Sequence, residues 1–232
     1  MDHFARIYHE EAANYEALVS REDYAQRLRP ALTDIRDPHG LDVIDLGSGT
    51  GRLAVMLAPL VNTMAAFDLS PHMLAVARDR LRRSGLRNWI TGVADHRALP
   101  VGDAVADLAV AGWSIVYTVV WYEQSWRREL GQALREMERV LRPGGTQIII
   151  ETLGTGETSP HPPDDLLLYL DYLEAEAGFQ STWIRTDYRF ASLEEAQRLT
   201  GFFFGDAMIE KLIGEDPVIL PECTGLWWRH RP

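Results

Sequence analysis

The chain has 232 residues, 46% of them hydrophobic, and a formal net charge of −11. That length suits one domain with a substantial core, and the acid excess argues against a surface built to lie along nucleic-acid phosphates, which bind through Lys and Arg. The single cysteine, Cys223, excludes an internal disulfide and a cysteine-based metal site and suits a reducing interior.

The N-terminal stretch MDHFARIYHEEAANYEAL is polar and helical in pattern, without the apolar core of a secretion signal. The longest uncharged stretch, LAVAGWSIVYTVVWY at 108–122, is shorter than the roughly 20 apolar residues of a membrane span. A cytoplasmic protein with no membrane contact is therefore expected. Residues 1–36 read as helix, with Ile7, Ala12, Tyr15, Leu18 and Val19 near one face, a break at Arg29–Pro30 and a turn at DPHG, 37–40. Strands and helices then alternate. Strands are expected at 42–46, 63–69, 89–94, 106–111 and 146–151, and helices at 52–60, 71–84 and 125–141. Ser70 and Pro71 begin the second of these helices and Gly85 ends it. Leu130, Leu134, Met137 and Leu141 form the buried stripe of the third, which RPGG at 142–145 stops. After a Gly- and Pro-rich loop at 154–165 come a helix (166–177), a strand (181–190), a helix (193–203) and a last strand (225–229). Repeated strand–helix–strand units predict an α/β fold, a doubly wound, largely parallel sheet with helices on both faces.

The first strand runs into VIDLGSGTG, residues 43–51. In an open parallel sheet, ligands bind beyond the carboxyl ends of strands where the strand order reverses. Glycines there allow a sharp turn and contact with main-chain atoms, and the following helix offers free N–H groups. The spacing G-x-G-x-G, followed by Arg52, departs from the dinucleotide pattern G-x-G-x-x-G, and no Lys follows as in a phosphate-gripping loop. Asp45 would repel a diphosphate but suits a ligand carrying an ammonium group. S-adenosylmethionine is such a ligand.

VIDLGSGTGR resembles the first motif of the class I S-adenosylmethionine-dependent methyltransferases, and other segments agree in order. AAFDLSPHMLAVAR (65–78) is similar to the family's second strand, GVADHRALPV (92–101) to its adenine-contact loop, ADLAVAGW (106–113) to its fourth strand and LRPGGTQIII (141–150) to the turn into its fifth. The resemblance covers about residues 41–152. It implies a Rossmann-like sheet, mostly parallel with an antiparallel edge strand, with 1–40 as an N-terminal helical cap, 41–152 as the cofactor-binding core and 153–232 as the C-terminal part of the same domain. It also implies S-adenosyl-L-methionine as cofactor. Asp68 would take both ribose hydroxyls, Asp95 would accept from the adenine amino group and the main chain of His96 would meet the ring. The expected cofactor-binding set is Asp45, Gly47, Ser48, Gly49, Thr50, Gly51, Asp68, Leu69, Met73, Ala94, Asp95, His96, Trp113 and Tyr15, the last on an N-terminal segment that, with Tyr8, related enzymes fold over the cofactor.

Methyl transfer needs positioning and water exclusion, and a base only if the nucleophile sheds a proton as it attacks, so the catalytic residue stays open. Trp113, Tyr117 and Trp121 share a helix-like spacing, and Tyr117, Trp121 and Tyr122 are candidate acceptor contacts through stacking or cation–π interaction. The seven histidines, at 3, 9, 39, 72, 96, 161 and 230, lack metal-ligand spacing, so no metal is expected. His72 and His96 would flank the cofactor loops. His96 is a candidate base, an assignment that unchanged turnover in His96→Ala would dispose of. Arg78, Arg80, Arg82 and Arg83 are expected on a solvated helix face, and Trp227 and Trp228 on opposite faces of the last strand. AGWSI stands where amino-directed DNA methyltransferases carry D/N-P-P-Y/F, HPPD at 161–164 is misplaced for that role, and Cys223 is far from the cytosine-C5 nucleophile position. A small-molecule acceptor is favoured, with no nucleic-acid partner, and with specificity supplied by 154–165 and FFFG at 202–205. An enzyme acting on protein or RNA, a non-catalytic cofactor-binding module and a dehydrogenase with degenerate spacing remain as alternatives.

Overall fold

The computed structural model describes residues 3–232, side chains at positions 3–5 and 9 excepted; residues 1 and 2 of the expected N-terminal helix, and the side chains of His3 and His9, lie outside the described residues. The N-terminal segment is three helices rather than one: α1 (His3–Glu10), α2 (Ala12–Val19) and α3 (Leu28–Ile35). Arg29–Pro30 does not break the helix. Pro30 sits in the first turn of α3, where the N–H it lacks would have no intrahelical partner. The interruption lies at 20–27, where Asp23 and Gln26 take left-handed backbone angles. There the Asp23 carboxylate accepts the Arg27 and Leu28 N–H groups at 2.8 and 3.0 Å.

The central run follows the expected alternation: β1 (Asp42–Leu46), α4 (Arg52–Leu57), β2 (Thr63–Asp68), α5 (Pro71–Arg83), β3 (Trp89–Val93) and β4 (Ala106–Gly112). Ser70 caps α5 by accepting the Met73 N–H. A one-turn helix α6 (Tyr117–Val120) precedes α7 (Trp126–Val140) and β5 (Leu141–Thr155). β5 begins earlier than expected. It carries RPGG as an irregularity, with pairing moving from Ala106↔Leu141 to Leu108↔Thr146.

The C-terminal third departs most. α8 (Leu167–Asp171) is flanked by a 3₁₀ turn and a π turn. The strand expected over 181–190 is two strands, β6 (Gln180–Arg185) and β7 (Tyr188–Phe190). They part where Asp187 turns its carboxylate onto Arg185 and the Glu222 N–H. Then follow α9 (Leu193–Phe204), a short strand β8 (Val218–Leu220) that pairs with β7 outside the main sheet, and β9 (Glu222–His230), which starts three residues ahead of Gly225.

Seven strands form one sheet in the order β3-β2-β1-β4-β5-β9-β6. The pairings from β3 to β5 are parallel, and β9 runs antiparallel to β5 and β6 at one edge. Alternation along the strands feeds two cores. Ile44, Leu46, Ile149 and Trp227 pack with α7 and α8 on one face, and Val43, Ile148, Ile150 and Leu226 pack with α3, α4 and α5 on the other. Trp228 joins the face opposite Trp227. A third cluster, Leu18 of α2 with Tyr188, Phe190, Leu199 and Val218, ties the N-terminal segment to the β7–β8–α9 unit. One member of the basic run on α5 is not on a solvated face: Arg80 pairs with Glu16 at 2.8 Å and donates to the Thr50 carbonyl at 2.9 Å.

Candidate functional site

Chain order reverses between β1 and β4. From β1 the chain steps outward to β2 and β3, then returns to the other side of β1. The loops leaving β1 and β4 therefore diverge and leave a crevice at the carboxyl edge of the sheet. It opens into a cavity of about 920 Å³, within the range of small-molecule sites.

The three glycines of the first loop have left-handed backbones, φ +70, +53 and +82, but different tasks. A Cβ on Gly47 would stand 2.4 Å from the Ser114 Cβ, because the loops after β1 and β4 touch there, with Ser114 Oγ donating to the Leu46 carbonyl at 2.8 Å. Gly47→Ala is expected to destabilise the fold by about 2–5 kcal/mol, from the left-handed backbone and from overpacking; urea unfolding checks it. Gly51 does not reach the cavity. It lets α5 pack close, its missing Cβ lying 3.0 Å from that of Ala77. Gly49 is the open one, where a Cβ would meet only the Tyr15 ring at 4.0 Å. Its N–H donates to Asp68 Oδ2 at 2.8 Å, while Asp68 Oδ1 accepts the Ser70 N–H at 2.7 Å.

Except for Gly51, every residue expected at the cofactor site lines this one cavity, as do Tyr117, Trp121 and Tyr122. Asp45 is buried with neither carboxylate oxygen hydrogen-bonded. Burial, and then the charge of Asp68, push it up to about 8. Burial also raises Asp68 and lowers His96. His72 is exposed and does not line the cavity. Asp95 is already engaged. Arg97 holds both its oxygens, Nε to Oδ1 at 2.9 Å and Nη2 to Oδ2 at 2.5 Å, and keeps it below the usual carboxylate range. Arg97 also lies over the Tyr122 ring, 4.9 Å from its centroid, so this tyrosine braces the loop. Trp113 has φ +50 ahead of α6, so the 113/117/121 spacing is not one helical stripe. Its ring sits 4.3 Å beneath the Arg52 guanidinium, whereas Tyr117 and Trp121 do stack, 4.7 Å apart.

The N-terminal helices close over this edge. The Tyr8 hydroxyl meets that of Tyr117, and Ser70 Oγ donates to the Tyr8 carbonyl at 2.7 Å. Residues of the 154–165 loop, with Phe203, Phe204 and Met208, complete the wall.

Four wall residues escaped the sequence reading. Arg52 and Glu22 form a buried ion pair at 2.5 Å. Glu222, at the start of β9, accepts the Thr152 hydroxyl and leaves its other oxygen without a partner. Glu151, at the end of the apolar run TQIIIE, accepts the Tyr169 hydroxyl at 3.0 Å and the Val116 N–H at 3.1 Å. A lone acid closing a buried strand was the available signal for Glu151; Glu22 and Glu222 had none. Burial raises Glu151 to about 8, and burial followed by the charge of Glu22 raises Glu222. Carboxyls held above their unfolded values, near 4, contribute stability that is full below about pH 4 and is lost as pH rises toward about 8. Thermal melts should therefore show Tm falling between pH 5 and 8, and Glu222→Gln should raise Tm at pH 8 and flatten the decline.

An orphaned buried carboxylate at Asp45, an open main chain at Gly49 and the Asp68 carboxylate together suit a ligand with an ammonium group and neighbouring hydroxyls. S-adenosylmethionine meets that donor set. Residues 43–145 match the family model of a methyltransferase domain. Over these residues the chain is similar to methyltransferase domains. It is 31% identical over 122 residues to the uncharacterized protein YafE of Escherichia coli K12, covering 53% of each chain. It is 30% identical over 141 residues to a demethylmenaquinone methyltransferase of Chlorobaculum tepidum, covering 60% of this chain and 50% of that one. The chain thus spans about half the length of these curated relatives. The fold matches that of the YcgJ protein of Bacillus subtilis with a TM-score of 0.58 over 90% of this chain and 99% of that one, at 16% identity. The methyltransferase domain has no described helix long and apolar enough to cross a membrane.

Proposed function

We propose that the chain transfers a methyl group from S-adenosylmethionine to a small-molecule acceptor. The observation that carries this is one shared cavity, with the glycine loop and Asp68 in its wall under β1 and β2 and the aromatic side chains of Tyr117 and Trp121 beyond β4. Bound there, the cofactor supplies a methyl group on an already activated sulfonium. Asp68 binds the ribose hydroxyls, Gly49 offers its main chain and Asp45 faces the ammonium. The Ala94–His96 segment holds the adenine, with Asp95 accepting from it while braced by Arg97. Tyr8, Tyr15 and Tyr117 cover the site and exclude water, so the chain acts mainly by positioning. The menaquinone-type substrate in the name of the Chlorobaculum tepidum relative supports a small-molecule acceptor, and the net charge of −11 weighs against nucleic acid.

Calorimetric titration of S-adenosylhomocysteine, with NAD in parallel, tests the reading. Micromolar binding of the former and none of the latter is expected. Binding of NAD alone would move the chain to the dehydrogenases.

A further inference from the structure

The far wall of the cavity has a chemistry that the donor site does not need. Among the described residues nine carboxylates line the cavity against three cationic side chains. Each cation is already paired with a lining carboxylate: Arg52 with Glu22 at 2.5 Å, Arg97 with Asp95 at 2.5 Å and Lys211 with Glu157 at 2.9 Å. Of the six carboxylates left, Asp45 and Asp68 lie at the ends of β1 and β2, where the donor is placed. Glu151, Glu222, Asp164 and Asp165 lie beyond β4, on β5, on β9 and in the segment after β5. The sheet order sets Glu151 two strand spacings from Asp45, roughly 10 Å along the edge.

Glu151 and Glu222 are 1% and 2% exposed. Among the described residues neither forms an ion pair, although the Arg52 charge acts on Glu222. Polar groups this deep are ordinarily satisfied; the Tyr169 hydroxyl and the Val116 N–H both go to Oε1 of Glu151, so its Oε2 marks a place for a donor brought by a ligand. Around them the wall is aromatic: Tyr117 stacked on Trp121, and Phe203 edge-on to Phe204 at 4.9 Å. Carboxylates within aromatic faces favour an organic cation and penalise an anion.

The geometry points to an acceptor that carries a basic amine on an apolar body, its ammonium held by Glu151 and its body against the aromatic wall. This rests on the methyltransferase reading and deepens it. An ammonium at Glu151 supplies the counter-charge that burial withholds and returns the carboxyl to its ionised form. A carboxylate- or phosphate-bearing acceptor would meet the opposite field.

The test uses the full chain saturated with S-adenosylhomocysteine and three probes of one shape: 2-phenylethylamine, neutral 2-phenylethanol and anionic 3-phenylpropionate. The amine should bind about tenfold or more tighter than either analogue, as expected of a desolvated charge contact. Glu151→Gln should abolish that preference while S-adenosylhomocysteine affinity stays within about twofold; the retained affinity shows that the variant is folded. Equal or tighter binding of the alcohol or the carboxylate, an undiminished preference in Glu151→Gln, or no binding of the amine to the loaded protein overturns the assignment. Failure of S-adenosylhomocysteine itself to bind overturns the methyltransferase reading, and this proposal with it.

Discussion

Asp68→Ala is expected to weaken S-adenosylhomocysteine binding by about a hundredfold, measured by calorimetry against the parent chain. Two ribose hydroxyls donated to one carboxylate are charge-assisted hydrogen bonds, each worth about 1.5–3 kcal/mol, and tenfold in affinity is about 1.4 kcal/mol. The carboxylate also fixes the site before any ligand arrives, accepting the Gly49 and Ser70 N–H groups at 2.8 and 2.7 Å. The variant therefore loses both the contact and the loop that presents the open glycine. Asp68→Asn separates the two, since its remaining carbonyl oxygen still accepts one of these N–H groups; its loss should be closer to tenfold. Affinity unchanged in both variants would place the ribose elsewhere.

Arg52→Ala should cost about 3–5 kcal/mol of stability, the cost of leaving a buried charge without its partner. At about 2–4 °C per kcal/mol for a chain of this size, Tm should drop by roughly 6–20 °C. Arg52 pairs with Glu22 at 2.5 Å, with side chains 16% and 3% exposed. Glu22 also accepts the Thr186 hydroxyl at 3.0 Å, and its charge helps raise Glu222. Without the guanidinium, two carboxyls face each other in the wall and the Trp113 ring loses the cation above it. Adding Glu22→Gln should recover part of the loss, because it removes the stranded charge. A change under about 1 kcal/mol would mean that the pair behaves as a surface ion pair.

The sheet core was legible because its signals are local. Apolar runs such as VIDL and TQIII, a Ser-Pro helix start before α5 and Gly85 after it each act over a few residues, and chain order placed the glycine loop at a strand end. Legibility failed where a residue's partner is distant in the chain. Asp187, whose carboxylate accepts from Arg185 and from the Glu222 N–H, splits what the sequence presents as one strand, so β7 leaves the main sheet to pair with β8. Pro30 reads as a helix breaker until its position in the first turn of α3 is known. Tyr122 lines the cavity, but the Arg97 guanidinium over its ring had no local signal.

Local sequence was enough for the alternation of strands and helices, the bare loop between Asp45 and Arg52, and the acids at positions 68 and 95, because periodicity, turn chemistry and strand-end position are set by near neighbours. The tertiary structure alone decided what surrounds them. It set Gly47 against Ser114 and left Gly49 open, and it gave Asp95 to Arg97. It also brought Glu22, Arg52 and Glu222, from three distant parts of the chain, together. Burial and Coulomb interactions depend on distance through space, and a glycine or a glutamate carries no mark of which neighbour folding will bring to it.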